Sequence, residues 1–185
     1  AQCSLIGGET AEMNGIYRMG KFDLAGFAVG VVKNKLPKKI TKGNFIYGIK
    51  SNGVHSNGYT LIRKLLKYSH YDLFELLTPT RIYTEVVPFM TKYEKELMGM
   101  AHITGGGHVD NIMRLLEEDL TFELYRWDFP PVFSWIQNTS KMTYIEMMQT
   151  YNCGYGMVLI FDRKIDEPGL DYLGNIIEGT IPKFI

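Results

Sequence analysis

The sequence predicts an α+β fold, a mixed β-sheet flanked by helices, and three observations point to it. Helix-period and strand-period segments interleave along 185 residues without the strict strand–helix–strand rhythm of a parallel sheet. Glycine-rich turns recur at the joins between these segments. The composition, 45% hydrophobic and 22% charged, is that of an ordinary soluble globular chain long enough to bury a sizeable core.

The elements follow in chain order. Residues 22–33 (FDLAGFAVGVVK) alternate Phe and Val with small residues and predict a strand. Pro37 to Gly43 predicts a loop and the boundary between two domains, 1–36 and 37–185. Phe45 to Ile49 predicts a second strand, closed by Ser51-Asn52-Gly53. From Asn57 the period changes, because Leu61, Ile62, Leu65 and Leu66 share one helical face while Arg63, Lys64 and Lys67 lie off it.

Thr78-Pro79 breaks the chain, and a longer helix is expected over 81–97 on the apolar set Ile82, Val86, Val87 and Met90, with a kink at Pro88. A short buried strand at 101–103 then turns through Gly105-Gly106-Gly107 into a helix reaching Leu116. Leu120 to Tyr125 predicts a strand. Pro131 sits where its missing N–H is harmless, at a helix start, with Val132, Trp135 and Ile136 on the apolar face. A short helix over 144–149, a buried strand over 157–161 and another over 175–181 complete the expectation.

Charge and cysteine content narrow the function. Twenty basic residues balance twenty acidic ones with no block of like charge, so nothing points to nucleic acid or an anionic membrane. Cys3 and Cys153 form no C-x-x-C pair or disulfide framework, which fits a reducing, intracellular setting. The longest apolar run, Ala25 to Val32, is too short to span a bilayer. The first residue is Ala rather than Met, and the expectation is a chain that starts inside a larger protein. No P-loop, dinucleotide fingerprint, H-E-x-x-H or G-x-S-x-G pattern occurs.

Four stretches could carry chemistry. Gly7-Gly8-Glu9-Thr10-Ala11-Glu12 joins paired glycines, which let a backbone approach a ligand closely, to carboxylates that suit Mg²⁺. A surface turn with solvated acids would read the same way. Gly53 to Tyr59 links a strand to a helix, so Ser56 and Asn57 could cap that helix or bind a phosphate oxygen. His55 could donate to the same anion or serve structurally.

Thr104-Gly105-Gly106-Gly107 repeats this logic, with tight strand–helix packing as the equal alternative. Arg81 could grip a phosphate bidentately or pair with Glu85 one turn on. His102 reads as a satisfied core histidine, and Cys153 as a small buried residue beside the weak Gly154-Tyr155-Gly156 turn.

Taken together and in order, these stretches resemble the phosphoribosylformylglycinamidine cyclo-ligases, also called aminoimidazole ribonucleotide synthetases. The matching text is 6–13 (IGGETAEM), 22–32 (FDLAGFAVGVV), 53–64 (GVHSNGYTLIRK), 77–83 (LTPTRIY), 101–107 (AHITGGG) with Asn111, and 151–159 (YNCGYGMVL). Phe133 to Gln137 and Glu146-Met147 also fit. The likeness runs from residue 1 to about residue 160. Asn14 stands where the family usually has Pro, and the match weakens after about Asp162.

The resemblance implies ATP-dependent ring closure of formylglycinamidine ribonucleotide to aminoimidazole ribonucleotide in purine synthesis. ATP phosphorylates the formyl amide oxygen, and the amidine nitrogen then attacks that carbon, a step governed by positioning and electrostatics. It further implies two α+β domains, of which this chain holds the tail of the ATP-binding first, up to about Leu36, and the second, with residues after about Asp162 short against the family. The fragment would be inactive alone, and a homodimer would form in the full-length protein.

On that reading Gly7, Gly8, Glu9, Thr10 and Glu12 serve ATP, with Glu9 on Mg²⁺. His55 is the catalytic candidate, and Ser56, Asn57, Gly58, Arg81, Thr104, Gly105, Gly106 and Gly107 line the ribonucleotide side. The rival readings are a non-catalytic binding domain of the same fold and a sister ATP-dependent enzyme such as selenophosphate synthetase.

Overall fold

The computed structural model describes residues 3–13, 15–32 and 35–185. The chain divides into two compact units at Lys35/Leu36. Asn14 and Lys33, which the sequence reading touched, lie outside the described residues.

The first unit has no strand or helix element among its described residues, so the strand expected over 22–33 is corrected to irregular backbone. A strand needs a neighbour to take its N–H and C=O groups, and none of the described residues of this segment pairs in a ladder. Its apolar side chains lie open, Phe22 at 83% and Phe27 at 94% exposure. A turn closes where the N–H groups of Ile16 and Tyr17 donate to the Met13 carbonyl at 3.1 and 3.2 Å. The Tyr17 hydroxyl then donates to Asp23 Oδ2 at 3.2 Å.

The second unit is built on a six-stranded mixed sheet. Its strands are β1 (Phe45–Lys50), β2 (Leu97–His102), β3 (Leu120–Leu124), β4 (Tyr155–Phe161), β5 (Asp171–Glu178) and β6 (Lys183–Phe184), in spatial order β2-β4-β1-β5-β3-β6. All pairings are antiparallel except β3 with β6. Register runs Phe45 to Phe161 between β1 and β4, and Leu120 to Glu178 between β3 and β5.

Both faces of the central strands are buried, so they read as continuous apolar runs and the side chains sort by alternation. Ile46, Val158, Ile160, Phe122 and Ile176 point into the larger core cluster. Tyr47, Ile49, Leu159 and Phe161 point into a smaller one with Tyr83 and Tyr93.

The larger core is roofed by α1 (Tyr59–Leu65), α4 (Gly107–Met113), α5 (Pro131–Ser140) and α6 (Tyr144–Thr150), which bring Ile62, Ile112, Phe133, Ile136, Met147 and Met148 against the sheet. Pro131 opens α5 as expected. Thr143 opens α6 with a capping box: its hydroxyl accepts the Glu146 N–H at 3.3 Å while its own N–H donates to Glu146 Oε2 at 2.7 Å. Of the two remaining short helices, α2 (Leu73–Leu76) adds buried Leu76 to this core, and α3 (Val86–Lys92) packs Val86, Phe89 and Met90 against the smaller one.

The long helix expected over 81–97 shrinks to α3, and β2 starts at Leu97. The periodicity was misleading, because no residue of α3 is buried, and Ile82 and Val87 are 64% and 50% exposed. Residues 81–85 are held instead by side chains, the Arg81 guanidinium donating to the Lys50 carbonyl at 2.7 Å. Among the described residues no helix is long and apolar enough to cross a membrane.

Candidate functional site

The antiparallel pairing of β1 with β4 places the loop after β1 beside the loop before β4. The Ser51 hydroxyl donates to Asn152 Oδ1 at 2.7 Å, and Asn152 Nδ2 returns a bond to the Gly53 carbonyl at 2.9 Å. On the β4 side the Asn152 carbonyl accepts from His108 Nε2 at 2.8 Å, so this one asparagine ties the 51–53 turn to α4. Asn152 and His108 are both buried.

On this frame the 53–58 loop takes an unusual path. His55 has φ 57°, a left-handed conformation uncommon outside glycine, and is 4% exposed. Its ring Nε2 lies 3.0 Å from Asn52 Oδ1. Tyr83 and His102 turn their rings toward it, at centroid distances of 6.0 and 6.3 Å. Burial first, then the charges of His102 and Arg81, push the His55 pKa down to about 4. The imidazole is therefore neutral near pH 7. Burial likewise raises the Tyr83 phenol to about 12.

The expected capping of α1 by Ser56 or Asn57 is not seen. Gly58 is the N-cap, with φ 75° and no side-chain bond to the helix. Ser56 Oγ instead lies 3.1 Å from Thr80 Oγ1. Gly58 is required here twice over, by its φ and because a Cβ would stand 2.1 Å from Tyr151 Cε1. The Tyr151 hydroxyl donates to the Gly58 carbonyl at 3.1 Å.

The two glycine-rich loops meet. Asn57 Oδ1 lies 3.9 Å from where a Cβ on Gly105 would be. Asn111, itself buried, pins the second loop by donating from Nδ2 to the carbonyls of Gly105 at 3.1 Å and Gly107 at 2.7 Å. The glycines of 105–107 divide between the two expectations held for them. A Cβ on Gly107 would sit 2.1 Å from the Met148 carbonyl oxygen, so that glycine serves the packing of α4 on α6. Gly105 has no such neighbour and leaves bare backbone facing Asn57.

Arg81 pairs with Glu85 at 2.6 Å, one of the two roles the sequence allowed. The guanidinium also lies 5.3 Å from the Tyr83 ring centre. His102 corrects the sequence reading: it is exposed at the end of β2, not in the core, with its ring 5.8 Å from that of Tyr83. Cys153 is fully buried as expected, and burial pushes its thiol pKa well up, away from nucleophilic character.

Asn52, Tyr83 and Gly156 are site residues the sequence reading passed over. A Cβ on Gly156 would meet the Tyr83 hydroxyl at 2.1 Å. The available signals were the Asn in the turn at 51–53 and the tyrosine closing the 77–83 stretch.

In the first unit, Glu9, Thr10 and Glu12 line a concave region of about 790 Å³ together with residues from Tyr17 to Ala25. Neither Gly7 nor Gly8 takes a positive φ, and a Cβ on either would meet nothing within 4 Å. Among the described residues no group of three or more His, Cys, Asp or Glu could hold a metal ion. The acids here do not by themselves fit a Mg²⁺ site, and Glu9 could supply only part of one.

Comparison with known proteins adds the following. The C-terminal domain of the AIR synthase related protein family matches residues 41–164. The phosphoribosylformylglycinamidine cyclo-ligase of Paraburkholderia phymatum is 48% identical over 86% of this chain and 49% of its own length. That of Methylobacillus flagellatus is 46% identical over 85% of this chain and 50% of its own. The chain thus spans about half the length of the curated relatives it matches. Among solved structures, thiamine monophosphate kinase from Aquifex aeolicus aligns with TM-score 0.48 and 14% identity over 80% of this chain and 51% of its own.

Proposed function

Since this chain belongs to the AIR synthase related family through its C-terminal domain, we propose that it is the C-terminal part of a phosphoribosylformylglycinamidine cyclo-ligase. The activity is ATP-dependent ring closure of formylglycinamidine ribonucleotide to aminoimidazole ribonucleotide. The observation that carries this reading is the meeting of the two glycine-rich loops at Asn57 and Gly105, in a chain 48% identical to a relative of that name.

In this reading the domains are 1–36, the tail of an ATP-binding domain, and 37–185. Gly7, Gly8, Glu9, Thr10 and Glu12 lie on the ATP side, with Glu9 adding one carboxylate to a Mg²⁺ set completed by residues beyond those described. Ser56, Asn57 and Gly58 face the ribonucleotide with Thr104, Gly105 and Gly106, while Gly107, taken up by the packing of α4 on α6, supports that loop from behind. Ser56 and Gly105 are exposed there, and glycine-rich turns that open helices suit a phosphorylated ligand. Arg81, already bonded to Glu85 and the Lys50 carbonyl, shapes the loop and adds positive charge. His55, neutral at pH 7, accepts rather than donates a proton in the ring-closing step, in which the attacking amidine nitrogen must lose one. The working protein is a cytoplasmic homodimer.

The test is ADP release by the complete gene product, including whatever precedes Ala1. Release that depends on formylglycinamidine ribonucleotide supports the assignment. Release driven instead by thiamine phosphate or selenide, or no release with any of them, overturns it.

A further inference from the structure

The turn at Ser51-Asn52-Gly53 does more than reverse the chain. Asn52 has its amide orientation fixed from both sides: Nδ2 donates to the Pro79 carbonyl at 3.0 Å, and Oδ1 accepts the Arg81 backbone N–H at 3.2 Å. A carbonyl can only accept and a backbone N–H can only donate, so the amide has one orientation. The atom facing His55 Nε2 at 3.0 Å is then the oxygen, and Nε2 must carry the proton.

Nδ1 is left with a lone pair. It is buried and has no hydrogen-bond partner among the described residues. A buried acceptor without a partner costs about 1–3 kcal/mol, and it calls for a reason.

We propose that Asn52 is a positioning residue that locks His55 in the Nε2–H tautomer, reserving Nδ1 as the acceptor for an N–H or O–H of a ligand held by the 53–58 loop. Around the imidazole stand His102 from β2, Arg81 and Tyr83 from the segment before α3, and Gly156 of β4. None of these neighbours hydrogen-bonds Nδ1. The lock itself is independent of the proposed function; only the ligand's identity rests on it.

Nitrogen-15 NMR of the histidine-labelled full chain reads the tautomer directly, with His55→Gln identifying the His55 signals. The expected wild-type spectrum at pH 7 has protonated Nε2 and bare Nδ1. Asn52→Asp, which keeps the acceptor and adds a negative charge, should retain that tautomer and move the His55 titration midpoint to higher pH. Asn52→Leu should leave a mixture of tautomers. A wild-type Nδ1–H tautomer overturns the lock, as does an Asn52→Leu spectrum identical to wild type. Should the Leu variant not fold, the wild-type and Asp spectra decide alone.

For the acceptor role, formylglycinamidine ribonucleotide added to the complete protein should shift the bare Nδ1 signal upfield as it gains a donor. An unmoved signal despite saturation overturns that role. A correct tautomer with a failed ADP-release assay removes the cyclo-ligase reading and leaves the lock standing.

Discussion

A Cβ on Gly156 would stand 2.6 Å from Cε1 of His55, so β4 gives up a side chain where the imidazole lies against it. The Tyr83 hydroxyl presses on the same spot from 2.1 Å. The position of the ring is thus set by the absence of a methyl group.

Gly156→Ala is expected to cost about 1–3 kcal/mol, the usual range for overpacking a filled interior. Urea denaturation would give that figure. The same substitution should also disturb His55, so the variant's histidine NMR signals should shift more at His55, which meets the new Cβ, than at exposed His70.

Two neighbouring glycines should part company. Gly107 has φ 58° and its Cβ would strike backbone, the Met148 carbonyl, so Gly107→Ala should lose about 2–4 kcal/mol from strain plus clash. Gly105→Ala meets nothing nearer than Asn57 Oδ1 and takes no positive φ. It should stay within about 0.5 kcal/mol of the parent. In the complete protein, however, it should weaken ribonucleotide binding. A pair of thermal melts and one binding titration check both halves.

Acid should destabilise the fold over a defined window. His108 is fully buried, donates from Nε2 to the Asn152 carbonyl and has its pKa pushed down to about 4 by burial. Unfolded, it would take up a proton near the ordinary value of 6.5. The unfolded state therefore binds more protons between those values, and stability falls as pH drops from 6.5 towards 4, by at most about 1.4 kcal/mol per pH unit for this group. His55 acts in the same direction. Chemical denaturation at several pH values should show the slope, and it should be shallower in His108→Gln, whose amide can still donate to Asn152. An unchanged slope in that variant would remove His108 from the account.

Thr143→Ala removes the hydroxyl side of the α6 capping box and should cost about 1 kcal/mol. Thr143→Ser should restore most of it, since it keeps the oxygen that accepts the Glu146 N–H. Equilibrium unfolding of the two variants compares them.

Much of the second unit was legible because its periodicity and its punctuation agree. α5 starts at Pro131 as its sequence announces, β3 and β4 lie where their β-branched and aromatic runs place them, and the T-x-x-E at Thr143 marks the start of α6. The failures came where partners lie outside the local sequence. Residues 81–85 have helical spacing, yet the Lys50 carbonyl and Asn52 hold them in another path. Residues 22–32 have strand character but pair with none of the described residues. Within the site, the loops were visible as glycine runs. Asn52 was not, since its importance lies in the three groups its amide joins.

The first loop of the candidate site depends on sequence far downstream. Tyr151 reaches Gly58 across 93 positions, and Asn152 reaches Ser51 across 101. Contacts so remote in sequence cannot form until most of the polypeptide has been made, and chains rich in them fold slowly. During synthesis the 53–58 segment must therefore leave the ribosome without its later scaffold. A nascent chain stalled before Tyr151 emerges would hold every residue of both loops but neither of these two long-range ties.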